Sequence, residues 1–327
     1  MKIAILDDYQ DVVRDLSAFE LLKGHEVQVL NRSFADPAEL AARVADVEAL
    51  VLIRERTEIT AELLSKLPSL KLISQTGKIS NHLDLDACTA AGVAVAEGIG
   101  SPVAPSELCW ALVMAASRHL PAYARNMQQG LWQDSGSLGL GRTLSGLTFG
   151  IWGYGKIGQR VARYAQAFGM RVQVWGSEPS RLQAEKDGYS AAHSREAFFE
   201  TSDLLSLHLR LNDATRHLVR REDLARMPPD ALFVNISRAE LVAPGALVSA
   251  LRAGRPGFAA VDVFEVEPAH PDTEPLLGMP NVLCTPHLGY VEKNSYELYF
   301  SKAFENVVNY AQGAPSNIAN PEVLPVA

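Results

Sequence analysis

Leu147-Thr148-Phe149-Gly150-Ile151-Trp152-Gly153-Tyr154-Gly155-Lys156-Ile157-Gly158-Gln159-Arg160-Val161-Ala162 is the stretch whose reading decides the fold. It opens as a short apolar strand, passes through GxGxxG, and continues with helical spacing. Each glycine has its own reason. Gly153 permits the tight turn, Gly155 lets backbone approach a pyrophosphate, and Gly158 lets helix and strand pack closely. The helix start then offers free N–H groups and partial positive charge to an anion. The spacing therefore predicts a dinucleotide site over Gly153, Tyr154, Gly155, Lys156, Ile157 and Gly158. The next strand, "RVQVW", ends in Gly176 and Ser177, and the first acid is Glu178. An acid at that strand end holds the ribose hydroxyls of NAD, and its absence removes the charge that repels a 2′-phosphate. Arg181 and Arg210 supply positive charge nearby, or they are surface residues and Glu178 reaches the ribose. NAD and NADP both stay open.

Outward from this motif the same alternation runs in both directions. Downstream, "LLSLHL", "ALFVNIS", "GFAAVDVF" and "NVLCTPH" read as strands, with helical spacing at 181–188, 195–201, 221–227 and 244–253. Upstream, "KIAIL", "HEVQVL", "EALVLI", "LKLIS" and "VAVAEG" read as strands, with helices expected at 10–22, 38–46, 60–67 and 85–91. Strands alternating with helices argue for parallel sheets covered on both faces. Between the two units lies 102–129, opened by Pro102 and Pro105, with Ser106 as a candidate cap and Pro121 expected to kink or divide the helix. Residues 134–141 (DSGSLGLG) read as a connector, and 291–312 as one long amphipathic helix.

The chain has 327 residues, past the size at which one core usually suffices, so two domains are expected. Its 47% hydrophobic and 21% charged residues exclude a mainly disordered chain. The longest apolar run, Leu108 to Ala116, is too short for a bilayer span, and the N-terminus lacks a secretory signal. A net charge of −8 without a basic run argues against nucleic-acid and membrane-surface partners. Three widely spaced cysteines, Cys88, Cys109 and Cys284, suit a reducing cytoplasm and form no metal-ligand spacing. No HExxH or His/Cys set appears, so no metal is expected.

Three residues follow strand ends in the second unit: Arg238 after "ALFVNIS", Glu267 after "GFAAVDVF" and His287 after "NVLCTP". Ligands of open α/β sheets bind beyond the carboxyl ends of strands, so these positions can converge. Arginine grips a carboxylate and polarises the neighbouring carbonyl. Histidine passes a proton at neutral pH, and a carboxylate on its other nitrogen fixes the tautomer. Beside a nicotinamide, the chemistry these groups suit is reversible hydride transfer to a 2-keto acid.

These residues carry a resemblance that runs over nearly the whole chain. "DLDACTAAGVAV", the helix containing Glu107, "LSGLTFGIWGYGKIGQRVARYAQAFGM", "LLSLHL", "ATRHLV", "LFVNISRAELV", "GFAAVDVFEVEP" and "NVLCTPHLG" resemble the D-isomer-specific 2-hydroxyacid dehydrogenase family, its phosphoglycerate dehydrogenase and glyoxylate-hydroxypyruvate reductase branches included. The resemblance implies that Arg238 binds the substrate carboxylate and carbonyl, that Glu267 rather than Glu265 supports the histidine, and that His287 is the general acid/base. It implies that Asp262 contacts the nicotinamide carboxamide. Ile236, Gly176 and Ser177 would line the cofactor, with His208 and Arg210 on the adenine side, His208 read chiefly as structural. It further implies a Rossmann cofactor domain over 101–290, inserted in a discontinuous flavodoxin-like substrate domain over 1–100 and 291–327. The active site would lie in the cleft, and the protein would be a homodimer through the helix at 106–116.

The chain also departs from the family pattern. Ala239 follows Arg238 where glycine is usual. Lys78 and Ile79 replace small residues in the loop whose backbone meets the substrate carboxylate. Arg210 stands where a proline lines the adenine pocket, and Tyr290 stands beside His287. Arg54, in "IRERT", either meets an anionic substrate or is a strand-end surface arginine. The leading expectation is a cytoplasmic NAD(P)-dependent dehydrogenase of small D-2-hydroxy acids. The alternatives are a cofactor-sensing corepressor-like binding protein and a formate- or phosphite-type dehydrogenase.

Overall fold

A computed structural model describes residues 1–34 and 36–325. The chain forms two compact units, Met1–Ser101 together with the chain from Glu292 onward, and Pro102–Val291. The first begins with β1 (Lys2–Ile5), β2 (Glu26–Val29), α1 (Pro37–Arg43), β3 (Ala49–Leu52), α2 (Ala61–Ser65), β4 (Leu72–Gln75), α3 (Leu85–Ala90) and β5 (Ala94–Ala96). The second holds α4 (Val103–Ser117), α5 (Leu120–Gln128), β6 (Thr148–Trp152), α6 (Lys156–Ala167), β7 (Arg171–Trp175), α7 (Glu178–Lys186), β8 (Ser190–Ala191) and α8 (Arg195–Thr201). It continues with β9 (Leu204–Leu207), α9 (Arg221–Leu224), β10 (Leu232–Asn235), α10 (Ala246–Arg252), β11 (Phe258–Val261) and β12 (Val282–Cys284). The chain then returns to the first unit as α11 (Lys293–Ala311).

Both sheets are parallel. The first runs β2-β1-β3-β4-β5 and the second β12-β11-β10-β9-β6-β7-β8. These are the flavodoxin-like and the Rossmann strand orders, the latter with one extra strand at the β12 edge. Central strands β3, β4, β9 and β10 are buried at every residue, as expected where helices cover both faces. Alternation assigns the faces in the second unit. Leu205, Leu207 and Phe233 pack with Phe198 and Phe199, whereas Leu204 and Val234 pack with Cys109, Leu112 and Val161. Phe198 and Phe199 are fully buried, each worth about 1.5–3 kcal/mol relative to exposure.

Three local expectations change. The segment 10–22 is not a helix but two 3-10 turns, Val13–Asp15 and Ser17–Leu22, separated by extended Leu16. Side chains take the N–H groups that a continuous helix would bond internally. Asp8 accepts from Val13 N at 3.0 Å, and Glu297 of α11 accepts from Ser17 N and Ala18 N at 2.8 and 3.2 Å. Ser106 does not cap α4 either. It lies inside the helix, with its hydroxyl directed to Pro102 O. The expected 181–188 helix starts earlier, because Pro179 sits in its first turn, where a proline is pre-organised. Pro121 does divide the 102–129 segment, with His119 left-handed at the break. Among the described residues no helix is long and apolar enough to cross a membrane.

Candidate active site

The glycine turn is built from backbone constraints. Gly153 has φ +100°, and a Cβ there would lie 2.6 Å from His208 O. A Cβ on Gly158 would run into Gly153 O. Gly155 faces open space and starts α6 with no side-chain cap, so the first N–H groups of the helix are left for a ligand. A pyrophosphate fits this cradle. Lys156 is exposed at the first helical position and Ile157 is half-buried. Tyr154 contributes backbone only, because its ring is buried and its hydroxyl donates to Asp187 Oδ2 at 2.8 Å. The residues expected on the adenine side differ. His208 turns its ring to Ser206, 2.7 Å from the hydroxyl, and burial pushes the imidazole down to about 3, leaving it neutral. Arg210 is exposed, and Ile236 is 7% exposed and packed in the core.

The second cluster sits on the carboxyl edge of the same sheet. The register sets Asn235 beside Val261 and Val261 beside Cys284, so Arg238, Glu267 and His287 all leave the sheet from three adjacent strands. His287 Nδ1 lies 2.7 Å from Glu267 Oε2, and Glu267 Oε1 accepts from Phe264 N at 3.0 Å. One carboxylate oxygen is thus anchored to backbone while the other holds the imidazole. His287 has φ +52°, a conformation that costs a non-glycine residue roughly 1–2 kcal/mol. Asp262 holds it there. Its Oδ1 accepts from Thr285 Oγ1 at 2.6 Å and Leu288 N at 2.8 Å, and its Oδ2 from Gly289 N at 2.9 Å. Burial pushes the Asp262 carboxyl above its ordinary value, against these hydrogen bonds and the nearby His287. Tyr290 is buried, with its ring centroid 5.6 Å from that of the imidazole and the two planes at 73°.

Arg238 Nη1 donates to Ser237 O at 2.6 Å, and its own carbonyl accepts from Asn235 Nδ2 at 2.8 Å. Ala239 opens the 3-10 turn Ala239–Leu241, whose negative φ tolerates alanine where the family has glycine.

The remaining candidates belong to the first unit. Arg54 has φ +56°, and its guanidinium lies against Gly77 so closely that a Cβ there would collide with it. Thr76 and Gln75 hold its backbone N–H and carbonyl at 3.0 and 2.7 Å. Lys78 Nζ lies 2.6 Å from Glu97 Oε2, and Ile79 N donates to Glu97 Oε1 at 3.1 Å. Sequence reasoning missed Glu97. The available signal was an acid just past the strand end of "VAVAEG". It also missed the turn-holding role of Asp262, whose partners come from 23 to 27 residues downstream. Among the described residues no group of three or more His, Cys, Asp or Glu side chains is placed to hold a metal.

Comparison with known proteins identifies the family. Residues 110–289 match the model of the D-isomer specific 2-hydroxyacid dehydrogenase NAD binding domain. The chain is 36% identical over 319 residues to a glyoxylate reductase of Aeropyrum pernix, covering 94% of each. It is 32% identical to a D-3-phosphoglycerate dehydrogenase of Methanocaldococcus jannaschii, covering 88% of this chain but 54% of that longer protein. A solved structure of a phosphoglycerate oxidoreductase from Vibrio cholerae is 63% identical, with a TM-score of 0.94, over 96% of this chain and all of that one. The chain belongs to the D-isomer specific 2-hydroxyacid dehydrogenase family, and is an NAD(P)-dependent oxidoreductase acting on CH–OH donors.

Proposed function

We propose that this family member reduces small 2-keto acids to D-2-hydroxy acids and runs the reverse reaction, with His287 as general acid/base. The observation that carries this reading is the 2.7 Å pair of His287 Nδ1 and Glu267 Oε2, on a turn held by Asp262. Backbone of Gly153–Gly158 and the start of α6 would hold the pyrophosphate. Asp262 Oδ2, which already takes the Gly289 N–H, has a second lone pair for the carboxamide. When bound, the dinucleotide supplies the hydride in reduction and takes it in oxidation. The Arg238 guanidinium grips the substrate carboxylate and polarises the adjacent carbonyl. His287 Nε2 gives its proton to the carbonyl oxygen, while Glu267 on Nδ1 fixes the ring and stabilises the imidazolium.

In the substrate unit, Arg54 against Gly77 is read as an anion contact, and Lys78, paired with Glu97, as a tie holding the loop. We read the protein as a homodimer. The apolar residues of 106–116 do not carry this reading, since Cys109, Leu112 and Val113 are spent in the core of their own unit. The support comes from exposed Leu120, Met127, Trp132 and Leu140 in the following segment. Three unpaired cysteines support a cytoplasmic location. A purely cofactor-sensing protein is not favoured, nor is the formate- or phosphite-type reading, because the curated relatives at 32–36% identity are named glyoxylate reductase and D-3-phosphoglycerate dehydrogenase.

The test is a panel of glyoxylate, hydroxypyruvate and pyruvate with NADH and NADPH. Turnover with at least one pair is expected, falling about 10²–10⁴-fold in His287→Ala while cofactor titration is retained. Near-normal turnover of the variant, or none by the parent across the panel, overturns the reading.

A further inference from the structure

The ribose end of the cofactor site carries a feature that the family description leaves open. Gly153 N donates to Trp175 O at 3.1 Å, so the end of β7 is fastened beside the glycine turn. Gly176 follows with φ +150°, and a Cβ there would sit 3.8 Å from Gly153 N and 3.6 Å from the Ser180 Cβ. Gly176 therefore lies beside the dinucleotide turn, with Ser180 close against Gly176. The strand-end position itself is held by Trp175 and Gly176, with no carboxylate. Glu178 comes three residues after the last strand residue, exposed in the first turn of α7.

Three groups occupy the place instead. The hydroxyls of Ser177 and Ser180 lie 3.1 Å apart, so neither is committed to capping the helix through its N–H groups. The Arg181 guanidinium lies 4.8 Å from the centroid of the Trp175 ring, over its face. A guanidinium held over an aromatic face can still direct its N–H groups to an acceptor. A planar donor with two hydroxyls is a recognised way to bind a phosphate dianion, and arginine does so with charge-assisted hydrogen bonds.

We propose that Ser177, Ser180 and Arg181 form a 2′-phosphate subsite, so that this dehydrogenase selects the 2′-phosphorylated dinucleotide, NADP(H), over NAD(H). The selection rests on the cofactor reading above and names which form of the cofactor the site takes. The competing arrangement is Glu178 on the ribose 2′-hydroxyl, which would select NAD(H).

Calorimetric titration with 2′,5′-ADP and with 5′-ADP separates these without any turnover. The intact protein is expected to bind 2′,5′-ADP on the order of tenfold tighter or more, the factor carried by one charge-assisted hydrogen bond. Arg181→Ala should bring that ratio close to one while leaving 5′-ADP affinity in place, and Ser180→Ala should lower it less. Glu178→Gln should raise the ratio or leave it unchanged. Equal or tighter binding of 5′-ADP by the intact protein overturns the subsite while the cofactor reading stands, and so does a ratio that Arg181→Ala leaves unaltered. Failure of both nucleotides to bind overturns the cofactor reading itself, and the subsite with it.

Discussion

Asp262 shows how one side chain can serve packing and chemistry together. It is fully buried, yet it faces the turn that presents His287 and satisfies three donors there. Its raised carboxyl value says that burying the charge costs more than these hydrogen bonds return. Asp262→Asn removes that cost and loses one acceptor. The expected stability loss therefore stays within about 2 kcal/mol by denaturant unfolding. Turnover should fall further, at least about tenfold, because the left-handed turn is released. Unchanged turnover with lowered stability would assign Asp262 to the fold alone. Arg238, Glu267 and His287 were legible because each closes a strand-like run. The holding role of Asp262 was not, because its donors arrive later in the chain and only packing brings them to it.

Elements were legible to different depths. The strands of both sheets were readable as apolar runs, since buried parallel strands need apolar residues on both faces. The short edge strand β8 was not, because two residues carry no period. Helix α6 depends on Gly158, whose absent Cβ lets it reach Gly153 O. Gly158→Ala should lower the melting temperature and abolish binding of either dinucleotide. Retained binding in a fluorescence titration would show that helix and strand can shift apart without loss of the cradle. The 3-10 segment after β1 depends on α11 through Glu297. Hydrogen bonds from Ser17 and then Ala18 hold the Glu297 carboxyl below its ordinary value of 4.5. A depressed carboxyl contributes stability that is present above the unfolded value and lost as pH falls through the folded one. The melting-temperature difference between the parent and Glu297→Gln should therefore be full at neutral pH and shrink as pH falls below 4.5. A difference independent of pH would mean the contact is steric.

For the whole molecule, the chain leaves its first unit after Ser101 and re-enters it at Glu292. The returning α11 buries Tyr296, Tyr299, Phe300, Ala303, Phe304 and Val307 in that unit, and Ser74 Oγ donates to Ala303 O at 2.8 Å. Trp132 is 79% and Leu140 92% exposed, and the proposed dimer would cover them. Trp132→Asp with Leu140→Asp should convert a dimer to monomer by light scattering, with both units still folded by circular dichroism. A parent that is already monomeric would remove the dimer proposal. What the sequence by itself determined were the α/β class, the two alternating units, the glycine cradle and the strand-end candidates. All of these follow from glycine's backbone freedom and from the spacing of apolar residues over short stretches. Only the tertiary structure decided which carboxylate serves which donor. Glu297 goes to Ser17 across 280 residues, Glu97 to Lys78 and Ile79, and Asp262 to the His287 turn. A buried or half-buried polar group pairs with whatever packing brings within about 3 Å, and distance along the chain says nothing about that.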